Sequence, residues 1–441
     1  MVTIEIMSTS ETKRSPFWFL TGNTRILVIC RILWSFSTSI VYPYFSLYII
    51  ALGGTPAEVG LVNSIGIIAG MFLYPVGGYI ADKMGRVKLV GYATVAYGLS
   101  HLFFVFASTW EHVAIGQFLT HLFLFYTPAL NALQADSLPP GVRGKGFATI
   151  SAIPNSVRII APYIGGYLIA LFGGTDAALI EVVRASWGFA FIVSLLVSFI
   201  RLKYLKETIP EDTEKEKIGL KDIPRTMLDS YKSIIDSVKW MDQSLWGIVI
   251  VEIVASLFVA MTSPYWVVYA TNVIGISKGD WGSALLISGA LGILLAFPIG
   301  SLVDRLGPRK MILAASLIAP LVIHSFIYTT GYWGVVAVLC LMTIVNGLLM
   351  PSFSTIIANM IPRSRRGKLY SLLGERGVMI SYGNFWGGGF LLFPAAAIGS
   401  AIGGYIYLIN NTYLWNILPV AMILNFVLAY IYIKEPENIQ N

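Results

Sequence analysis

Residues 78–88 read Gly-Tyr-Ile-Ala-Asp-Lys-Met-Gly-Arg-Val-Lys, and residues 300–310 read Gly-Ser-Leu-Val-Asp-Arg-Leu-Gly-Pro-Arg-Lys. Both fit Gly-x-x-x-Asp-[Lys/Arg]-x-Gly-x-x-Lys, 222 positions apart in a chain of 441 residues. Each copy joins two long apolar segments. A charged loop repeated at half the chain length marks a duplicated unit, and its register extends outward. Pro43-Tyr44 matches Pro264-Tyr265, Tyr48 matches Tyr269, and Glu58-x-Gly60 matches Asp280-x-Gly282. Arg143-Gly144-Lys145 matches Arg366-Gly367-Lys368, and the same register sets Gly165-Gly166 against Gly388-Gly389.

The composition is 56% hydrophobic and 12% charged, about half the charge of a soluble domain. Apolar runs of about 20 residues recur, enough to cross a hydrocarbon core of about 30 Å as helices. Strand-type alternation is absent, which excludes a barrel. Twelve spans are expected, near 25–50, 57–81, 88–108, 112–135, 146–172, 185–205, 245–271, 281–304, 310–330, 333–358, 370–395 and 412–433. They group into a tail 1–24, a six-helix bundle 25–205, a linker 206–244 with helical character near 224–240, a second bundle 245–433 and a tail 434–441. Gly387-Gly388-Gly389, Pro394 and Gly403-Gly404 predict a break or bend within 370–409.

Of the 30 Lys and Arg, only Arg184 and Lys278 fall in loops on one side, three (Arg31, Arg158 and Arg376) lie well inside spans, and 25, those at span edges included, gather on the other side. The positive-inside rule then places both termini in the cytoplasm of a multi-pass cell-membrane protein. The net charge of +7 reports this topology and contact with membrane lipid. The cations are dispersed over short loops, so nucleic acid is not an expected partner. Cys30 and Cys340 fall within spans and are read as packing residues. The four histidines are scattered without metal-ligand spacing, and no Gly-x-x-x-x-Gly-Lys-[Ser/Thr] phosphate loop occurs. An enzyme is not expected.

With these motifs, the chain resembles the major facilitator superfamily from about residue 20 onward, on the drug/proton antiporter side. Residues 78–88 resemble that family's loop between helices 2 and 3, and 300–310 its weaker copy between helices 8 and 9. Asp136-x-x-Pro139-x-x-x-Arg143-Gly144 is similar to its helix 4–5 junction. The resemblance implies an all-α membrane fold of two pseudo-symmetric six-helix bundles around a central cavity. It also implies a cytoplasmic gate at Gly78, Asp82, Lys83, Gly85, Arg86, Asp136 and Arg143, in which Asp82 engages the start of helix 11. Gly300, Asp304, Arg305 and Gly307 form the second copy. That copy is the weaker one, because Arg86 corresponds to Pro308 and Asp136 to Asn359.

Charges inside spans are costly and usually face a cavity or a partner. Arg31 and Glu252 occupy equivalent positions, each twelve residues before its Pro-Tyr pair. Arg31, Ser35, Thr38 and Tyr42 share one helix face, as do Glu252, Ser256, Val259 and Ser263. In the resembled fold these helices line the cavity from opposite halves, so Arg31 and Glu252 are expected to pair across it. Arg158 falls mid-span in helix 5, beside Ala161-Pro162-Tyr163-Ile164-Gly165-Gly166, which resembles the family's antiporter signature. His121 is placed near mid-membrane on a polar stripe and is a titratable candidate. Glu375 is a second coupling candidate, and Trp266 belongs to aromatics that line a cavity for amphiphiles. The residues and the resemblance together imply a secondary transporter that moves a small organic solute by alternating access, acting as a monomer. No cofactor is expected, and a proton gradient supplies the energy for efflux. The alternatives are uptake or facilitated passage of an organic anion and, more remotely, a non-transporting membrane sensor.

Overall fold

The structure is a computed structural model describing residues 18–138, 143–209, 223–361, 369, 372–373, 378–379, 381–382 and 389–433. The helices of the first half are α1 (Asn23–Ser39), α2 (Phe45–Ala51), α3 (Pro56–Met84), α4 (Arg86–Val105), α5 (Trp110–Phe123), α6 (Thr127–Asp136), α7 (Arg143–Arg158), α8 (Ala161–Leu171) and α9 (Asp176–Tyr204). The linker carries α10 (Ile223–Trp240). The second half holds α11 (Gln243–Thr262), α12 (Tyr265–Tyr269), α13 (Lys278–Leu306), α14 (Pro308–Ser325), α15 (Gly331–Met360), α16 (Phe393–Ile409) and α17 (Tyr413–Tyr432). Ten stretches among the described residues are long and apolar enough to span a membrane. The helix α4 and the broken pair α7–α8 bring the count to the expected twelve.

Several spans are two helices joined at a proline. Pro43 lies in the 3-10 turn Tyr42–Tyr44 between α1 and α2, and Pro264 caps α12 after α11. Pro128 and Pro162 open α6 and α8. A proline removes one backbone donor and crowds the preceding turn, so the hydrogen-bond ladder restarts there. The first and seventh spans therefore bend at equivalent positions, as the duplication requires.

Glycine and capping residues set the long helices. Gly85 and Gly307 adopt φ +96° and +89° between α3 and α4 and between α13 and α14, a region that strains any residue with a Cβ. The repeated Asp-[Lys/Arg]-x-Gly thus spells the same tight corner twice. At the other end, α13 starts in a capping box. Ser277 Oγ accepts from Asp280 N at 3.0 Å, and Asp280 Oδ2 accepts from Ser277 N at 3.1 Å. Its equivalent at α3 is Thr55 with Glu58, whose Oε2 accepts from Thr55 N at 2.7 Å.

Each bundle packs around its own aromatic cluster. In the first, Trp187 lies against Phe104, His101 and Tyr42. In the second, Trp266 lies against Phe326, Trp415 and Tyr382. The linker helix α10 reaches both bundles. Tyr231 donates to the Phe72 carbonyl of α3 at 3.2 Å, and its ring meets Phe390 at 5.9 Å.

One expectation holds and another needs correction. The expected bend within 370–409 falls at the 3-10 segment Phe390–Leu392, before Pro394 in the first turn of α16, while Gly403-Gly404 lies inside that regular helix. The structural equivalent of Gly165-Gly166-Tyr167 is Gly403-Gly404-Tyr405, rather than Gly388-Gly389. Gly166 faces the Lys278 carbonyl and Tyr44, and Gly404 faces the Pro56 carbonyl and Tyr265. Pro56 and Lys278 are themselves 222 apart, so the two contacts are copies.

Candidate functional site

The two bundles meet along two seams at the end where α3 and α13 begin. One seam pairs α3 with α16, and the other pairs α8 with α13. Both depend on glycine. A methyl group added at Gly404 would sit 2.6 Å from the Pro56 carbonyl oxygen, and one at Gly282 would sit 2.7 Å from that of Pro162. Gly60 meets the Ser400 carbonyl even more closely. Such approach of backbones is what small residues permit between membrane helices.

A buried tyrosine lies in each seam. Tyr265 donates to the Pro56 carbonyl at 3.0 Å, across the bundles, while Tyr44 donates to the Pro162 carbonyl at 2.7 Å, within its own bundle. Ser400 adds a second crossing bond, to the Gly60 carbonyl at 3.1 Å. At the rim, Lys278 Nζ crosses to Gly174 O and Asp176 Oδ1, both at 3.0 Å. This end is therefore sealed. The sequence signal was present in the matched Pro-Tyr and acidic-x-Gly pairs, although neither was read there as a seal.

Within the spans, the structure separates the candidates. Glu252 of α11 is fully buried, and neither carboxylate oxygen has a hydrogen-bond partner among the described residues. The described walls of the pocket it lines, including Ser316, Phe353 and Asn425, all come from the second half. The expected pairing of Arg31 with Glu252 is not formed here. Arg31 is half-buried. Arg158 ends α7 and is exposed at the break before α8. His121 is half-buried, with its Nδ1 at 3.0 Å from the Gln117 carbonyl.

Three further candidates sit among packed neighbours in this state. Thr38 is buried and donates to the Trp34 carbonyl at 2.9 Å, a bond within its own helix. Tyr42 is half-buried against Trp187 at 5.6 Å. Trp266 is fully buried in the second bundle's aromatic cluster in this state. Glu375 lies outside the described residues.

At the opposite end, the loop motif is partly in view. Arg86 is paired with Asp136. Arg86 Nη1 also donates to Thr208 Oγ1 at 3.1 Å, and Glu207 Oε2 accepts from Val87 N at 3.1 Å. Glu207 and Thr208 were not anticipated, since they follow the sixth span at the start of the linker. The backbones of Gly78, Asp82 and Lys83 close α3, and that of Arg143 opens α7; their side chains lie outside the described residues. In the second copy, Asp304 and Arg305 are exposed, and Gly300 has open space around it. Arg201, counted by its position among the loop cations, is in fact buried. It donates to Thr94 Oγ1 at 2.6 Å and stacks over Tyr126.

Two six-span bundles joined by a linker helix and sealed against each other at one end define a helical membrane transporter that works by alternating access. The chain belongs to the Major Facilitator Superfamily, whose sequence profile matches residues 27–374 and 248–441. It is 23% identical over 344 residues to the Multidrug resistance protein MdtG of Escherichia coli O9:H4 (strain HS), covering 76% of this chain and 78% of that protein. Its fold matches the nucleoside transporter NupG with TM-score 0.59 at 15% identity, over 93% of this chain and 98% of that one. It also matches the human organic anion transporter MFSD10 with TM-score 0.61 at 14% identity, over 92% and 98%. The protein is thus a multi-pass membrane transporter for a small-molecule substrate.

Proposed function

We propose that this chain exports small organic, amphiphilic compounds in exchange for protons, with Glu252 as the group that takes up the proton. The observation carrying this reading is the fully buried Glu252 carboxylate without a partner among the described residues. An ionised acid inside a span is costly, up to about 2.5–3.5 kcal/mol at the helix centre on insertion scales. Protonation removes that cost and changes what the pocket can hold. Export is supported by the likeness to relatives that are named multidrug resistance proteins and by the charge distribution. With the cation-rich loops and both termini in the cytoplasm, the sealed end faces outside, and the state described here is the one an exporter loads from within. Residues 25–205 and 245–433 move as two units about the linker 206–244. The chain works as a monomer in the lipid, and the proton gradient is its energy source. The loop around Asp82 and Arg86 acts as the cytoplasmic gate in the opposite state.

Proteoliposomes under an imposed pH gradient, offered a panel of amphiphiles, test this reading. Gradient-dependent flux of at least one compound is expected, and its absence throughout the panel overturns coupled export. A second reading, transport of an organic anion, rests on exposed Arg158 at the break in the fifth span. Flux of anions that is lost in Arg158→Gln but retained in Glu252→Gln favours it instead.

A further inference from the structure

The linker helix α10 carries five charges in 18 residues and is not one of the stretches apolar enough to span a membrane. Its sides differ. At 3.6 residues per turn, positions seven apart lie nearly above one another. Leu228 and Ile235 form one such row, and Arg225, Lys232 and Lys239 form the row beside it. Asp229 and Asp236 follow on the far side of the basic row. On the opposite face, Ile234 and Val238 pack on the protein's core. Leu228 and Ile235 are 61% and 52% exposed, and the three cations are exposed as well. Tyr231 fixes the height of this helix. It donates to the carbonyl of Phe72, near the unsealed end of the apolar stretch Pro56–Leu73, and its ring meets Phe390, which begins the apolar stretch Phe390–Ile409. Phe72 lies about 24 Å along α3 from Pro56 at 1.5 Å per residue, within a hydrocarbon core of about 30 Å. The middle of α10 is therefore level with the boundary of that core, and its outward rows meet a lipid leaflet. An apolar row bordered by cations is the pattern of a helix lying in the membrane interface, with Lys and Arg stems reaching to the headgroups.

We infer that α10 is an interfacial helix that binds anionic lipid of the cytoplasmic leaflet, with Leu228 and Ile235 at the acyl boundary and Arg225, Lys232 and Lys239 on headgroup phosphates. Its occupant is lipid rather than a soluble protein, because the apolar row lies at the depth of acyl chains and the cations border that row. Assigning the leaflet to the cytoplasmic side rests on the orientation proposed above, whereas the exchange of solute for protons plays no part in it. Tyr231 touches both bundles, so the lipid-held helix connects the leaflet to the unsealed ends of both.

The test uses the full-length protein in lipid nanodiscs, with Cys30 and Cys340 replaced by Ala and a bimane label on Leu228→Cys, Ile235→Cys or Asp236→Cys. Lipids brominated along the acyl chain should quench the label strongly at 228 and 235 and weakly at 236, and aqueous iodide should show the opposite order. Quenching of 228 and 235 by iodide but not by brominated lipid overturns the site, since the face then belongs to the cytosol or to a soluble partner. Shielding from both quenchers only in discs holding two copies assigns the face to a second copy and overturns it too. Adding phosphatidylglycerol to phosphatidylcholine discs should deepen the lipid quenching. That gain should be lost at high salt and in the triple variant Arg225→Gln, Lys232→Gln, Lys239→Gln, whose exposed positions leave the fold intact. No gain, or a gain retained in the triple variant, overturns the binding of anionic headgroups. Labelling of Lys239→Cys by a membrane-impermeant thiol reagent from outside intact cells overturns the cytoplasmic placement. Absence of gradient-driven flux with the quenching pattern intact removes coupled export and keeps this site.

Discussion

Tyr44 and Tyr265 are copies of one residue, 221 positions apart, and each touches the glycines of a seam, yet they bond differently. Tyr265 crosses to Pro56 of the other bundle, whereas Tyr44 stays with Pro162 of its own. The α3–α16 seam therefore carries two crossing hydrogen bonds, from Tyr265 and Ser400. The α8–α13 seam carries backbone contact and, only at its exposed rim, the Lys278 ammonium, which donates to the Gly174 carbonyl and pairs with Asp176. A buried hydrogen bond is worth about 0.5–1.5 kcal/mol net, and an exposed ion pair about 0–1. Duplication reproduced the shape of the seal and distributed its bonds unequally, so the α8–α13 seam is expected to loosen first when this end opens.

The largest effect is expected where backbone meets backbone. Gly404→Leu and Gly282→Leu should each abolish sealing, because the new side chain meets carbonyl oxygens that cannot retreat. Overpacking of this kind costs about 1–3 kcal/mol or more. Labelling of a cysteine placed between the bundles by a membrane-impermeant thiol reagent reads it, and unchanged labelling would remove the claim of a tight seam. Next comes Tyr265→Phe, which should shift the equilibrium away from the sealed state by about 0.5–1.5 kcal/mol, roughly two- to tenfold in population. Tyr44→Phe should leave that equilibrium close to wild type while lowering Tm. Spin-label distances across each seam separate the two, and equal shifts in both variants would erase the asymmetry. Ser400→Ala should act in the same direction as Tyr265→Phe and more weakly, since Ser400 also packs through its backbone. Smallest is Lys278→Ala, expected to change the equilibrium by under about 1 kcal/mol, with an effect that fades at high salt. A large, salt-independent effect would mean that the rim rather than the buried tyrosine holds this end.

Much of the fold was legible from local chemistry. The number of spans, the linker helix and the tight corners at Gly85 and Gly307 follow from hydropathy, charge placement and a motif that only glycine satisfies, although the eleventh apolar span lies at Phe390–Ile409 and not at 370–395. The register of the second half was legible up to about residue 370 and then misled, because two glycine pairs compete for alignment with Gly165-Gly166. Contact with the Pro56 carbonyl, rather than spacing, selects Gly403-Gly404. The candidate site was read less completely. Glu252 was found because a carboxylate inside a span is conspicuous. Asn425, a neutral amide in the last span, gave no comparable signal, and Glu207 and Thr208 were absorbed into the linker.

By itself the sequence determined the class, the duplication and the number of spans, because crossing a membrane imposes length, apolarity and charge asymmetry that can be counted residue by residue. Only the tertiary structure decided which end is sealed, that Tyr265 crosses while Tyr44 does not, that Trp266 is core, and that Glu252 shares a pocket with Asn425 and not with Arg31. Those facts depend on which helix faces are brought together and at what distance. In a membrane, where interior, cavity and lipid-facing surfaces are all largely apolar, periodicity alone carries no record of that choice.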